Sequence, residues 1–332
     1  MRELPYHAAE QCGVFTTAQA RRAGWTTTAL RHAVRSGRLV RLRIGAYQDA
    51  SLDGLNQFER ARWRHAAPAI AAVLTTPGAL ASHSTSAVAR GIPLLFIPMR
   101  PCVSVVPWHT GEISRVHVHR CTAAPLTLPA GYVPCTSIER TLIDLAREHG
   151  ATAGVVSLDY ALHEQLTDLS RLYTELDRCV RWPGVRAARE AIRLADARSE
   201  SPLESRSRLK IPEFGLAAPE PQVSIGNESG GFVGRVDFYW DEFGVVGEVD
   251  GAVKYDDEQD RPLHKEKLRQ EALENLGLEV VRWGATELRD FDAVAARLRR
   301  AFARGAKPGS QDRRWTVLVR DFDPVSDTAR RR

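Results

Sequence analysis

Four carboxylates and one lysine in the C-terminal part of the chain have the residue types used in metal-dependent phosphate chemistry: Glu204, Asp237, Glu248, Asp250 and Lys254. Glu248 and Asp250 stand two residues apart, so on a strand their side chains share one face. Converging carboxylates repel one another unless a cation lies between them, and hard oxygen ligands suit Mg²⁺ or Mn²⁺. Such an ion polarises a phosphate and lowers the pKa of an attacking water. We therefore expect Mg²⁺ or Mn²⁺ on Asp237, Glu248 and Asp250, with Glu204 and Lys254 completing a catalytic site.

Two strands must bring these acids together. Strand-like runs flank a short polar turn, and the length of that turn decides the register. A two-residue turn, Asp241–Glu242, puts Arg235 opposite Glu248 and Asp237 diagonal to Glu248 on the same face. A three-residue turn without a bulge puts Asp237 on the opposite face and removes the site.

A helix is expected before these strands, with Ser201 as its N-cap and Glu204 in its first turn. A helix, a strand and a further helix follow the strands in the hydrophobic pattern. The order helix, three strands, helix, strand, helix predicts an α/β sandwich around a mixed sheet over residues 199–305. Residues 306–332 have the composition of a basic tail.

Charge is unevenly distributed along the chain. Residues 1–199 contain 24 arginines and 16 acidic residues, whereas residues 200–304 contain 15 basic and 21 acidic residues. A basic half suits a polyanion such as DNA, and an acidic half can gather carboxylates around a cation; the alternative is that both halves are solvated surface. The five cysteines are scattered, and no apolar run is long enough to cross a membrane. We therefore expect a cytoplasmic protein with no membrane partner and no structural zinc site.

The first 55 residues have the pattern of a DNA-binding domain. Threonines can cap two short helices, at 18–22 and 29–35, that are joined by a turn at Gly24–Trp25. A strand and hairpin follow, with alternating residues from Leu39 to Ile44. This order predicts a winged helix-turn-helix, used for DNA or, alternatively, for protein contacts.

Residues 1–50 contain eight arginines and three acidic residues, which favours DNA. Hydroxyl and guanidinium groups on the second helix can reach base edges and phosphates in a major groove, and arginines of the hairpin can bind phosphates. The predicted duplex-DNA contacts are Thr26, Thr27, Thr28, Arg31 and Arg35 on the helix, and Arg38, Arg41 and Arg43 on the hairpin.

Residues 10–150 resemble the AbiE-type (type IV) antitoxins. The residues that match the N-terminal pattern of that family are Gly13, Thr16, Gln19, Ala20, Gly24, Gly37, Leu39, Arg41, Gly45 and Tyr47. Segments around Ser82–His83 and Arg140–Thr141 match later parts of it. The resemblance implies transcriptional autoregulation and a nucleotidyltransferase-like toxin as partner, with residues 56–198 forming a mixed α/β and helical middle region.

The C-terminal acids resemble those of the PD-(D/E)XK nuclease superfamily, most closely the branch related to very-short-patch repair endonucleases. Glu204, Asp237 and Glu248 match the acids of its motifs, and the further matches are Gln222, Glu266, Lys267 and Arg269. Asp250 stands where the superfamily has a lysine, and Lys254 is the candidate to replace that lysine. The resemblance implies a metal-dependent DNA endonuclease in bacterial defence or toxin–antitoxin biology. The alternative is a non-catalytic, antitoxin-like transcriptional regulator.

Two further features involve histidines. His117 and His119 share one face of a predicted strand, as metal ligands can, but no third ligand stands nearby in the sequence. We therefore expect an exposed strand face there. For the adjacent pair Ser82–His83 the expected role is a helix cap.

Overall fold

The computed structural model describes residues 3–105, 115–120, 127–130, 133–250, 260–305 and 313–320. The chain divides into two compact units, Met1–Ala195 and Asp196–Arg332. It has the mixed α/β, multidomain class that the sequence predicts, with three sheets, eleven α-helices and one 3₁₀-helix in the described ranges. Across these ranges we find no helix with both the length and the apolar character needed to span a membrane.

The first unit begins with a head, residues 3–49. Its elements are a 3₁₀-helix at Tyr6–Gln11, β1 at Val14–Thr16, α1 at Thr17–Arg22, α2 at Thr27–Arg35, β2 at Leu39–Arg43 and β3 at Ala46–Asp49. Thr16 and Thr26 are the N-caps of α1 and α2. Their hydroxyls accept hydrogen bonds from the backbone N–H groups of Gln19 and Ala29. The three strands form an antiparallel sheet in the order β1-β3-β2.

A second sheet and five helices complete the first unit. In chain order they are α3 at Gln57–Thr75, β4 at Leu80–Ala81, α4 at His83–Ala89, β5 at Cys102–Val105, β6 at His117–Arg120, β7 at Thr127–Ala130, β8 at Val133–Thr136, α5 at Ile138–His149, α6 at Ala151–His163, α7 at Leu169–Arg178 and α8 at Val185–Leu194. The strand order is β6-β5-β4-β8-β7. The alanine-rich face of α3 packs in one core with Val14 and Ala46 of the head and Val103 of β5. The head is therefore joined to the middle region by buried apolar contacts.

The second unit is built on one five-stranded sheet. Its elements are α9 at Pro202–Glu213, β9 at Glu220–Asn227, β10 at Phe232–Trp240, β11 at Val245–Asp250, α10 at Asp260–Asn275, β12 at Glu279–Gly284, α11 at Asp292–Arg304 and β13 at Trp315–Arg320. The strand order is β12-β11-β10-β9-β13, and β11 and β12 run parallel. Residues of α9 and α11 pack with Phe238 and Trp283, whereas Leu273 of α10 packs with Val236 and Tyr239 in a separate core. Helices therefore cover both faces of the sheet.

Strand β13 differs from the expectation of a basic tail after residue 305. It pairs antiparallel with β9, and Trp315 is buried. The Trp315 indole N–H donates to the Tyr239 hydroxyl at 2.7 Å. Alternating apolar residues in this short segment provide enough buried surface to add an edge strand.

The packing of α6 against α5 and α8 gives a stability prediction. A Cβ on Gly154 would lie 2.4 Å from Cβ of Ala146 and 3.0 Å from Cβ of Ala191. We expect Gly154→Ala to destabilise the first unit by about 1–3 kcal/mol, because overpacking outweighs the higher helix propensity of alanine. The matched control is Thr152→Ala on the exposed face of the same helix, which we expect to leave the urea midpoint nearly unchanged. Equal midpoints for the two variants would contradict this account of the packing.

Candidate functional site

Helix α2 presents hydroxyl and guanidinium groups to solvent. The exposed residues are Thr26, Thr27, Thr28, Arg31 and Arg35. Leu30 and Ala33 are buried on the opposite side, so the orientation of the helix is fixed by its core contacts. Arg31 and Arg35 stand one turn apart and share a face. The free N-terminal N–H groups of the helix lie beside the threonines, where a phosphate is favoured.

The arginines of the β2–β3 hairpin have different surroundings. Arg41 is exposed and Arg43 is half-buried. The guanidinium carbon of Arg38 lies 5.2 Å from the centre of the Trp25 ring, a cation–π distance. Arg38 therefore has a contact within the head that the sequence does not reveal. Among ion pairs between described residues, none includes Arg31, Arg35, Arg41 or Arg43, so these charges are not neutralised there.

The turn between β10 and β11 contains four residues rather than two. Trp240 pairs with Val245 beside this turn. Continuing the register brings Asp237 opposite Glu248, so the sequence-based placement of Arg235 opposite Glu248 is wrong. Because both turn lengths are even, Asp237 still lies on the same strand face as Glu248.

Glu204 is held firmly at the start of α9. Its carboxylate accepts hydrogen bonds from the Ser201 hydroxyl at 2.6 Å, the Glu200 backbone N–H at 3.0 Å and the Gln222 side-chain amide at 2.8 Å. Gln222 adopts φ of 54° within β9, a left-handed conformation that is unusual for a residue with a side chain. Both oxygens of Glu204 are therefore already used by protein donors.

Asp237 is the least compensated of the three acids. Its carboxylate accepts one hydrogen bond, from the Val249 backbone N–H at 2.8 Å. Burial, together with the nearby negative charges of Glu204 and Glu248, raises the pKa of Asp237 to about 7. The hydrogen bond from Val249 and the charge of Arg269 act in the opposite direction. Near neutral pH this carboxyl is therefore divided between its protonated and ionised forms.

Glu248 is buried between two arginines. A nitrogen of Arg269 lies 3.0 Å from its Oε1, and Arg282 on the neighbouring β12 donates to its Oε2. Two cations thus compensate one carboxylate, a role that a metal ion would otherwise fill. Arg235 forms its own ion pair with Glu200 at 2.6 Å.

Within the described residues, the other positions of the predicted catalytic site are not part of the group formed by Glu204, Asp237 and Glu248. Asp250 is exposed at the end of β11, unlike Glu248 two residues before it. Lys254 lies outside the described residues. Glu266 and Lys267 belong to α10, the helix that also carries Arg269. The structure therefore brings together Glu204, Asp237 and Glu248, and adds Arg282, which no sequence motif indicates.

Comparison with known proteins gives a result for the head. Residues 2–48 match the family described as "Transcriptional regulator, AbiEi antitoxin". Two relatives from Mycobacterium tuberculosis, the uncharacterized proteins MT2308 of strain CDC 1551 and Rv2248 of strain H37Rv, are each 26% identical over 277 residues. Each alignment covers 83% of this chain and 97% of the relative. The family match spans the part of the chain that contains α1, α2 and the hairpin.

A solved structure gives weaker information. The crystal structure of the RV2827C protein from Mycobacterium tuberculosis is 16% identical and aligns with a TM-score of 0.33. The alignment covers 62% of this chain and 82% of that one.

The raised pKa of Asp237 makes a prediction about stability and pH. In the unfolded chain an aspartate has a pKa of about 3.9, so between about pH 4 and pH 7 the folded protein binds the extra proton. This contribution to stability is present below pH 4 and is lost as the pH rises through 7. Asp237→Asn cannot ionise, so we expect the unfolding free energy of the wild type to fall relative to this variant, by up to roughly 4 kcal/mol, between pH 4 and pH 8.

The measurement is the free energy of unfolding in urea of both proteins at several pH values. Taking the difference between them removes the contributions of all other titrating groups, which the two proteins share. Asp290→Asn, at an exposed position of the same unit, is the control and should show no such trend. A difference between Asp237→Asn and wild type that stays constant with pH would refute the assigned environment of Asp237.

Proposed function

We propose that this chain is a DNA-binding transcriptional regulator of the antitoxin type. The observation that carries the proposal is the family match over residues 2–48. The same residues form α2 with its exposed threonines and arginines and the β2–β3 hairpin. The charge of this segment and the absence of ion pairs on its exposed arginines, among the described residues, suit a polyanionic partner.

In this proposal the head is a winged helix-turn-helix and α2 is the recognition helix. Arg31 and Arg35 face base edges in the major groove, and the N-terminal threonines contact a phosphate. Arg41 and Arg43 on the hairpin bind phosphates of the flanking backbone. Arg38 supports the hairpin through its contact with Trp25 and contributes less to DNA.

The antitoxin part of the proposal gives the chain a protein partner. The description as an antitoxin supports a toxin as that partner. The resemblance to AbiE-type antitoxins implies that this toxin is nucleotidyltransferase-like and encoded nearby. Co-expression of the adjacent gene with and without this chain tests the pairing, because an antitoxin restores growth that the toxin arrests. A neighbouring gene product that does not affect growth would leave the chain as a regulator alone.

DNA binding by the full chain is the first test of the regulator. We expect it to bind a duplex from the region upstream of its own gene, with log K falling by about 0.9 per log unit of salt for each phosphate contacted. Arg31→Ala/Arg35→Ala should reduce discrimination against a scrambled duplex, by roughly 1–3 kcal/mol for each base edge that the variant can no longer bind. Arg41→Ala/Arg43→Ala should weaken both duplexes about equally.

Fluorescence anisotropy at several salt concentrations measures these effects. The matched control is Arg186→Ala/Arg189→Ala, which removes two exposed charges from α8 of the same unit. If this control loses as much affinity as Arg31→Ala/Arg35→Ala, the binding is only a response to net charge. No binding to either duplex at low salt would overturn the proposal.

A second candidate function is a Mg²⁺- or Mn²⁺-dependent endonuclease with a PD-(D/E)XK-like second unit. It is favoured by one observation: the half-buried Asp237 lies beside the buried Glu204 and Glu248, and Glu204 is anchored by Gln222. The described side chains fit a resident metal poorly, because both Glu204 oxygens accept protein hydrogen bonds and Glu248 is paired with two arginines. We therefore place this function second.

The two candidates differ in their response to metal. As a regulator, the full chain should leave supercoiled plasmid intact with Mg²⁺ or Mn²⁺, and these ions should not shift its melting temperature. As a nuclease, it should nick the plasmid, and Asp237→Asn should abolish nicking while Asp290→Asn should not. Metal-dependent nicking that is lost only with Asp237→Asn would reverse the ranking.

A further inference from the structure

A cavity of about 640 Å³ in the first unit is lined in part by a group of histidines. His83, His117 and His119 line it together with Glu148 and Trp182. None of these residues belongs to the head or to the carboxylate group of the second unit. Their residue types are those of a transition-metal site rather than of an apolar core.

Four separate elements bring possible ligands to one point. His83 begins α4, Cys102 begins β5, His119 lies on β6 and Glu148 lies near the end of α5. One ligand atom from each of the four lies within 4.8 Å of every other. His83 Nε2 is 3.5 Å from Oε2 of Glu148, and His119 Nε2 is 3.8 Å from the same oxygen. The fold thus brings three possible ligands, His83, Cys102 and Glu148, to His119, none of which stands beside it in the sequence.

The ring of His83 is oriented by its own neighbour. Its Nδ1 lies 3.1 Å from the Ser82 hydroxyl, which leaves Nε2 directed at Glu148. Ser82 occupies the N-cap position of α4, as expected of a helix cap, but its side chain makes no cap hydrogen bond and contacts His83 instead. His83 also has φ of 47°, and backbone in this region persists only where the surroundings hold it. In metal sites a hydrogen-bond partner on the second ring nitrogen fixes the orientation of the ligating histidine, and the Ser82 hydroxyl occupies that place here.

His119 has a buried nitrogen without a hydrogen-bond partner. Its Nε2 is inaccessible to solvent, and no described group lies within hydrogen-bond distance of it. Its ring stacks on that of His83, with centroids 3.8 Å apart. Burial lowers the pKa of His119 to about 3 and that of His83 well below its usual value, so both rings are neutral at pH 7. Neutral imidazole is the form that binds a metal.

We propose that His83, Cys102, His119 and Glu148 bind a divalent transition metal of the Zn²⁺ class. A tetrahedral ion at about 2.0–2.3 Å from each ligand would space the ligand atoms about 3.3–3.8 Å apart. The two distances to Glu148 already lie in this range. The rings of His83 and His119, which stack at an interplanar angle of 16°, would turn on binding so that both Nε2 atoms face the ion. Burial raises the pKa of the Cys102 thiol, so the ion would bind with release of the thiol proton. The resulting thiolate and the Glu148 carboxylate would balance the charge of a divalent ion, and the mixed sulfur and nitrogen donors select Zn²⁺ over Mg²⁺.

Nearby arginines do not prevent the binding of a cation. Arg140 and Arg147 both pair with Asp144, which is fully buried one turn before Glu148. His117 lies outside the four ligands, with Nδ1 3.3 Å from Oε1 of Glu148, and helps to orient that carboxylate. The site is complete within the first unit and does not depend on the proposed DNA binding.

Metal content of the full chain tests the proposal directly. Protein stripped with a chelator, incubated with Zn²⁺ and desalted should retain one equivalent by elemental analysis. Co²⁺ in place of Zn²⁺ should give the visible bands of a tetrahedral ion and a sulfur-to-metal charge-transfer band. Cys102→Ser should abolish the charge-transfer band, and His119→Gln should weaken Zn²⁺ binding by more than the roughly 10–100-fold loss typical of an outer partner. Ser82→Ala, which removes such a partner, should cost about that smaller amount.

Three controls separate this site from others. Cys179→Ser changes a buried free cysteine outside the group, and Asp237→Asn changes the acid of the second unit. His117→Gln removes a neighbour that is not a ligand. All three should keep one equivalent of Zn²⁺, and circular dichroism confirms that each variant is folded. The proposal would be overturned if the wild type retained no Zn²⁺. It would also be overturned if Cys102→Ser and His119→Gln both bound Zn²⁺ as tightly as the wild type.

Discussion

A carboxylate removed from water must be paired with a cation or with several N–H donors, and this requirement organises both units. In the first unit it is met at Asp144, whose side chain is fully buried between Arg140 and Arg147 on the same helix. Those guanidinium groups in turn lie 4.0 and 4.8 Å from the ring centre of Trp182. This arrangement fixes the C-terminal end of α5, from which Glu148 reaches the histidines.

The same requirement acts differently on the three acids of the second unit. Glu204 is satisfied by hydrogen bonds, and Glu248 by Arg269 and Arg282. Asp237 is largely removed from water, receives one backbone hydrogen bond and faces two negative neighbours, so its pKa is raised and its proton is retained to a higher pH. The uncompensated charge is thereby confined to a single residue. A cation that entered this group would gain most from Asp237 and would have to compete with arginines at Glu248.

Local sequence signals determined much of what could be predicted. The caps at Thr16, Thr26 and Ser201 follow from short-range hydrogen bonding, and the shared face of Asp237 and Glu248 follows from strand parity. The exact register did not follow, because a four-residue turn leaves the same parity as a two-residue turn but shifts every pair.

Interactions between distant segments could not be predicted in this way. Arg282 meets Glu248 only because β12 pairs in parallel with β11, a contact between strands separated by a whole helix. The histidine group combines residues from His83 to Glu148, carried by four elements whose mutual positions depend on the middle sheet. Neither the spacing of these residues in the sequence nor the composition of the chain predicts that they come into contact. The extra strand β13 was missed for a related reason, since its charge pattern outweighed its short apolar alternation.

The pairing of Glu248 also bears on what a nuclease-like set of acids means. Converging carboxylates are usually taken to imply a metal because their repulsion needs a positive charge between them. Here Arg269 and Arg282 supply that charge from within the chain, so the acids can stay together as part of a stable fold without any ion. Their convergence is consequently compatible with a regulator that never cuts DNA. The exposed arginines of α2 are different, because within the described residues they have no acidic partner, and in the proposed function the phosphates of DNA take that place.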